Sequence, residues 1–211
     1  GLHFYDGHVR EPGAEARQSH AWRLYQGLLE IVNALQLAGL DLGELITSGT
    51  PAFPYALAFP GFANLSGVLH RVSPGTVVFH DGFSDDLLED VSLSPAALLF
   101  TRVVSQPAAD IVTCDAGSKS LAAEAGDPAA FVLGHPQLLA QKPSEEHLPL
   151  RVLVGQVPAR GTELLLIPRH VCPTVNLADE LVLVSGSEEW QTVAVRARGH
   201  DLIADSSGLD Q

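Results

Sequence analysis

The chain has 211 residues, 46% hydrophobic and 18% charged, which is enough apolar material for a core and argues against wholesale disorder. Its 12 Lys and Arg against 25 Asp and Glu give a formal net charge of −13, so it lacks the cationic face that a nucleic-acid partner requires. No segment has the unbroken apolar length of a membrane span and no basic-then-apolar signal opens the sequence, so a cytoplasmic location without a membrane partner is the default expectation.

Residues 2–5 are apolar or aromatic and end at Asp6-Gly7, a strand-to-loop signal. Residues 13–39 read as one helix: Ala21, Leu24, Leu28, Ile31, Val32 and Leu35 keep the helical period, and Gly39 stands where a helix terminates. A short strand at 43–47 leads into the loop Ser48-Gly49-Thr50-Pro51. Strand, helix, strand and loop make one unit of a parallel α/β fold. Such a unit cannot bury both faces of its own sheet. The chain also begins at Gly1, contains no methionine and opens as if in mid-strand, so a further segment upstream is expected.

After Pro51 the pattern changes to short strands with Pro and Gly turns. Strands are expected at 68–72, 76–80, 95–105, 110–115, 129–133, 150–154, 163–167, 181–185 and 190–198, with Gln106-Pro107 as a break. No second helix of the quality of 13–39 follows. The later part is therefore mostly β, a small barrel or sandwich, with the boundary near 80–92 and a polar tail.

Four segments carry candidate chemistry. His170 and Cys172 lie two apart, which on an extended chain puts both on one side, and an imidazole with a thiolate suits a borderline-soft metal such as zinc. Alone, the pair reads first as a packed histidine and a free cysteine. Two protein donors would leave coordination positions open, as a catalytic metal needs. Ser144-Glu145-Glu146-His147 could tune a proton-transfer group, or be an exposed acidic turn, which locally is the preferred reading. Ser48-Gly49-Thr50-Pro51 could offer N–H groups and hydroxyls to a phosphate, or be a plain turn. Lys119, in Asp115-Ala116-Gly117-Ser118-Lys119, sits in a polar turn and reads as solvated or ion-paired; the other lysine is Lys142. Cys114 and Cys172 are the two cysteines, too few for a disulfide scaffold.

Taken in order, YDGH (5–8), SGTP (48–51), PGTVVFHDG (74–82), DAGSKSLAAEAG (115–126), SEEH (144–147) and IPRHVCPTVNLADE (167–180), with Trp190 and VRARG (195–199), resemble one family. It is the metal-dependent, pyridoxal-phosphate (PLP) fold-type III group of D-threonine aldolases and D-serine dehydratases. The resemblance implies an α/β plus β chain: the C-terminal portion of a PLP-binding (β/α)8 alanine-racemase-like barrel, followed by a mostly antiparallel β domain. Residues 1–85 would be the last barrel units, 86–200 the β domain and 201–211 the tail. His170 and Cys172 match the metal ligands, for zinc first and manganese as the alternative. Gly49 and Thr50, with Ser48, match the loop that holds the cofactor phosphate, and Tyr5 and His8 match a strand-end segment near the cofactor. No residue matches the Schiff-base lysine, and neither Lys119 nor Lys142 takes that role. Val77 stands where the family has tyrosine, and Leu148 where it has glycine, which puts a polar contact and a tight turn in doubt.

The implied activity is a lyase acting on a small D-3-hydroxy amino acid, in a homodimer. His-x-Cys, with Cys172 at the second ligand position, tilts the reading toward dehydration. Retro-aldol cleavage and a non-catalytic, ligand-binding remnant are the alternatives; a racemase fits less well because it has no need of the His-x-Cys pair.

Overall fold

The computed structural model describes residues 1–88, 91–186 and 190–199. The expected tail at 201–211 lies outside them. The first part is a parallel three-stranded sheet of β1 (Leu2–Phe4), β2 (Glu44–Thr47) and β3 (Leu69–Val72), in that order. Leu2 pairs with Leu45, and Leu45 with His70. Helix α1 (Ala14–Leu37) covers one face. Its buried residues Arg17, Ala21, Tyr25, Leu28 and Val32 repeat every three or four positions and make a single stripe. The stripe packs with Leu45, Ala56, Phe59 and Phe62 into one apolar core. The helix ends as Gly39 turns to φ 76°, where the Leu40 N–H returns to the Leu35 carbonyl.

Two short helices, α2 (Phe53–Ala58) and α3 (Pro60–Ala63), connect β2 to β3. Their sequence, FPYALAFPGFA, hides them, because two prolines and a glycine break the period on which helix reading depends. The strand expected at 76–80 is instead a 3-10 turn, Thr76–Val78, followed by His80 in the left-handed region at φ 55°. Helix α4 (Gly82–Leu87) follows at once, capped by the Asp81 carboxylate, which accepts the Ser84 N–H at 2.8 Å.

The second part is a closed antiparallel barrel. It contains β4 (Leu99–Ala108), β5 (Ile111–Cys114), β6 (Ala130–Val132), β7 (Leu138–Ala140), β8 (Leu148–Val152) and β9 (Glu163–Pro168), ordered β4-β5-β8-β7-β6-β9. Alternate residues point inward: Val112 and Cys114, Leu148, Leu150 and Val152, Leu164 and Leu166 fill the interior. Closure leaves no unpaired edge in this sheet. Strand β4 runs through Gln106-Pro107, where a break was expected. The register shifts between Val103 and Ser105, and between Ser105 and Ala108, absorb the proline. Helix α5 (Val171–Val175) follows β9, and a ribbon of β10 (Glu180–Val184) and β11 (Trp190–Ala194) ends the described chain. The expected strand at 190–198 therefore stops at Ala194, and VRARG forms a turn.

Candidate active site

A cleft of about 450 Å³ opens at the C-terminal ends of the three parallel strands, beside the exit of β9. It is walled by Tyr5, Gly7 and Arg10 after β1, by Gly49–Pro51 after β2, by residues between Ser73 and Phe79 after β3, by Phe83 and Ser84 of α4, and by His170, Cys172 and their neighbours in α5. Strand ends are where parallel α/β folds place their chemistry, because the loops there are free to vary over a fixed frame.

The loop after β2 is built from below by Asp6, which is 1% exposed. Its carboxylate accepts the Tyr25 hydroxyl at 2.5 Å, the Ser48 hydroxyl at 3.0 Å and the Gly49 N–H at 3.1 Å. These bonds hold Ser48 at φ 66°, a conformation that residues with a Cβ rarely adopt. Burial, then the Asp6 bond, push the Tyr25 hydroxyl far above its ordinary pKa, so it stays a donor. Ser48 therefore supports the loop from beneath and is not among the residues walling the cleft. Gly49 and Thr50 do face the cleft. A Cβ on Gly49 would lie 2.7 Å from the Tyr5 ring, so a side chain there would push that exposed ring aside. The Thr50 hydroxyl oxygen is buried with no hydrogen-bond partner among the described residues.

Tyr5 lies over both Gly7 and Gly49 and is 63% exposed. His8 does not reach the cleft. It points outward, with its ring 5.5 Å from that of His20. The YDGH segment thus contributes Tyr5 and Gly7 to the wall and Asp6 to the support, and its histidine to neither.

His170 and Cys172 come together, though not on an extended chain as expected. His170 is extended at φ −135°, ψ 115°, and Cys172 sits in the first turn of α5. Their mutual side-chain interaction is the largest cause that lowers the Cys172 thiol pKa and raises that of His170. On Cys172, burial opposes the shift and a bond from Thr76, 3.4 Å away, adds to it. On His170, burial opposes it, Asp81 adds slightly and Arg10 subtracts. The pair is thus poised toward thiolate and imidazolium, a soft donor set once the imidazole proton leaves. Among the described residues no cluster of three or more His, Cys, Asp or Glu could hold a metal, so a bound ion would take two protein donors here.

Sequence reading missed three contributors. Asp81 accepts the Val171 N–H at 2.8 Å through its second oxygen and so ties the donor pair to the α4 cap. Phe83 stacks on the His170 ring at 5.8 Å, and its N–H donates to the Arg169 carbonyl at 2.8 Å. Arg10 lies over the Phe83 ring. Of these, Asp81 had a legible signal, an aspartate just ahead of a short helical run. The other two depend on contacts between distant segments.

The remaining motifs are structural. The SEEH turn is exposed and packs against DAGSK: Ser118 N–H donates to the Ser144 carbonyl and Lys119 N–H to that of Glu145. Lys119 pairs with Glu145 and Glu146, as its polar turn implied. Leu148 is a fully buried residue of β8. Val77 lies in the 3-10 turn, half-buried. A second hollow of about 310 Å³, lined by His80, Asp85 and Phe131, holds none of the expected site residues.

Residues 96–184 match the family described as "Putative serine dehydratase domain". Over 207 residues, 94% of this chain, the sequence is 32% identical to a D-threonine aldolase of Arthrobacter sp., of which that stretch is 51%. Over nearly its whole length the chain resembles the D-threonine aldolase / D-serine dehydratase-like family. It is also 26% identical to a 3-hydroxy-D-aspartate aldolase of Paracoccus denitrificans (strain Pd 1222), again over 94% of this chain and 51% of the relative. The chain spans about half the length of these curated family members. Among solved structures, D-threonine aldolase from Filomicrobium marinum superposes with a TM-score of 0.76 at 26% identity, over 90% of this chain and 51% of that one. D-threo-3-hydroxyaspartate dehydratase from Delftia sp. HT23 superposes at 0.69 and 23% identity, over 95% and 56%. Alanine racemase from Clostridium difficile 630 superposes at 0.57 and 14%, over 92% and 55%; these last two show the shared fold. Solved forms of D-threo-3-hydroxyaspartate dehydratase include a His-to-Ala mutant and, two positions on, a Cys-to-Ala mutant in the metal-free form. The fold of this chain is thus that of the C-terminal half of alanine-racemase-like enzymes, with a six-stranded barrel as its β part.

Proposed function

We propose that this chain forms part of a PLP- and divalent-metal-dependent lyase that removes water from D-3-hydroxy amino acids. One observation carries the reading: a single cleft joins the His170–Cys172 pair to the Gly49–Thr50 loop. Both groups fit. Thr50 brings a buried hydroxyl with no partner among the described residues beside a glycine backbone, which suits a phosphate, and the coupled imidazole and thiol suit zinc, with manganese as the alternative. When bound, PLP supplies an electron sink and the metal a Lewis acid for the substrate hydroxyl. This chain's own residues then divide the work. Gly49 and Thr50 bind the phosphate, and Tyr5 walls the cleft over them. His170 and Cys172 give two metal donors and leave further positions open to the substrate. Asp6 and Asp81 hold these two groups in place.

Neither lysine suits the cofactor: Lys119 is bound to two glutamates on an exposed turn, and Lys142 is also exposed. We further propose a homodimer in the cytoplasm; no helix among the described residues is long and apolar enough to cross a membrane. Retro-aldol cleavage to glycine and an aldehyde is the second reading, favoured by the 32% identity to a D-threonine aldolase. The holoenzyme is assayed with D-serine, D-threonine and D-3-hydroxyaspartate, with and without chelator. Chelator-sensitive pyruvate or oxaloacetate supports dehydration, and glycine supports cleavage. Cys172→Ala should abolish the metal-dependent turnover while the cofactor absorbance persists; full activity in that variant removes the ligand assignment.

A further inference from the structure

The cleft has one permanently charged side chain in its wall among the described residues, Arg10. The protein as a whole carries a net charge of −13, yet no carboxylate among the described residues pairs with this guanidinium. Its Nε donates to the Gly7 carbonyl at 2.7 Å, and its Cζ lies 5.2 Å from the centre of the Phe83 ring. These two contacts fix the plane of the group and use only one of its five N–H donors. The terminal Nη1 and Nη2 edge stays available for an end-on, two-pronged bond to a carboxylate. Phe83 in turn stacks on His170 at 5.8 Å with 31° between planes. One aromatic ring therefore connects the guanidinium to the metal-donor pair.

We infer that Arg10 is a specificity-determining residue that binds a carboxylate on the hydroxyl-bearing carbon of the substrate, which selects 3-hydroxyaspartate-like dicarboxylic amino acids over serine and threonine. The inference rests on the reading that His170 and Cys172 present a metal to the substrate hydroxyl. In a 3-hydroxyaspartate that hydroxyl and the β-carboxylate share one carbon. A group that holds the carboxylate must then share the cleft with the group that holds the hydroxyl, and Arg10, His170 and Cys172 wall one cleft, with Phe83 in contact with both Arg10 and His170. Serine has hydrogen at the same place and threonine a methyl, so with either the guanidinium faces no charge.

The test has two parts. In turnover by the holoenzyme, Arg10→Gln should lower kcat/KM for D-3-hydroxyaspartate relative to D-serine by about 10- to 100-fold, mainly through KM, as expected for loss of a bond to a charged group. Arg10→Lys keeps the charge without the fork and should restore part of the ratio. In binding, malate and 3-hydroxybutyrate, the desamino counterparts of 3-hydroxyaspartate and threonine, are titrated by calorimetry into zinc-supplemented holoenzyme. The unsubstituted protein should prefer malate, and Arg10→Gln should erase the preference. Equal weakening of both ligands would give Arg10 to the α-carboxylate. Loss of PLP affinity with an unchanged ratio would give it to the phosphate, and no change in either ligand would make it a packing residue; each overturns the inference. If no D-amino acid is turned over at all, the proposed function fails, while the malate preference still decides the role of Arg10.

Discussion

Replacing Asp6 tests whether the cleft floor is built as described. The carboxylate is 1% exposed and receives three donors, from Tyr25, Ser48 and Gly49. In Asp6→Ala the Tyr25 and Ser48 hydroxyls, 3.0 Å apart, still satisfy one another. The Gly49 N–H does not, and Ser48 loses what holds it at φ 66°. An orphaned buried donor costs about 1–3 kcal/mol, and the lost charge-assisted bonds bring the total to about 3 kcal/mol after the carboxylate's own desolvation is discounted. For a chain of this size that is a fall in Tm of roughly 6–12 °C. Asp6→Asn keeps an acceptor for Gly49 and offers its amide hydrogens to the two hydroxyl oxygens, so it should cost about 1 kcal/mol. Thermal unfolding followed by circular dichroism reads both variants, and PLP titration should show weaker binding in the alanine variant first. An Asp6→Ala protein that melts within about 2 °C of the parent would refute the argument, since the three bonds would then be worth nothing net.

Gly117→Ala should lower stability by about 2 kcal/mol or more, because its Cβ would overlap the Glu145 backbone, which has no flexible end to move; an unchanged Tm would show that the two turns are not packed together. At neutral pH an alkylating reagent should label Cys172 well before Cys114, whose thiol is pushed up to about 11 by burial. His170→Ala should slow the labelling of Cys172, and equal rates at both cysteines, read by mass spectrometry, would contradict the coupled pair. Asp115 is held below the ordinary carboxylate range first by the Arg102 N–H and then by the Thr101 hydroxyl, both at 2.7 Å. Its contribution is therefore complete above the ordinary carboxylate pKa and is lost as pH falls through the depressed one. Acid unfolding of Asp115→Asn should show a shallower loss of stability over that window than the parent does.

Much of the architecture was legible because it rests on periodicity. The α1 stripe and the alternation along β5, β8 and β9 announce themselves in single segments. The failures share a cause. Residues 53–63 and 76–80 owe their conformations to prolines, to the Asp81 cap and to packing across the cleft, none of which leaves a local period. The site divides the same way. Gly49, Thr50, His170 and Cys172 stood in compact motifs. Arg10, Phe83 and Asp81 act through partners from 73 to 90 positions away in the chain. Ser48 and His8 sat beside true wall residues, and adjacency in sequence does not decide which way a side chain faces: Ser48 turns under the loop at φ 66°, and His8 turns out toward His20.

Strand β9 anchors the site mechanically. Its last residues pair with Ala130 inside a closed ring of strands, and the next residues are His170 and Cys172. A closed ring cannot hinge or slide a register without breaking every rung, so it works as the fixed jaw of a vise. The Gly49–Thr50 loop is held separately, by the Asp6 carboxylate that accepts the Gly49 N–H, so the two walls of the cleft rest on independent supports.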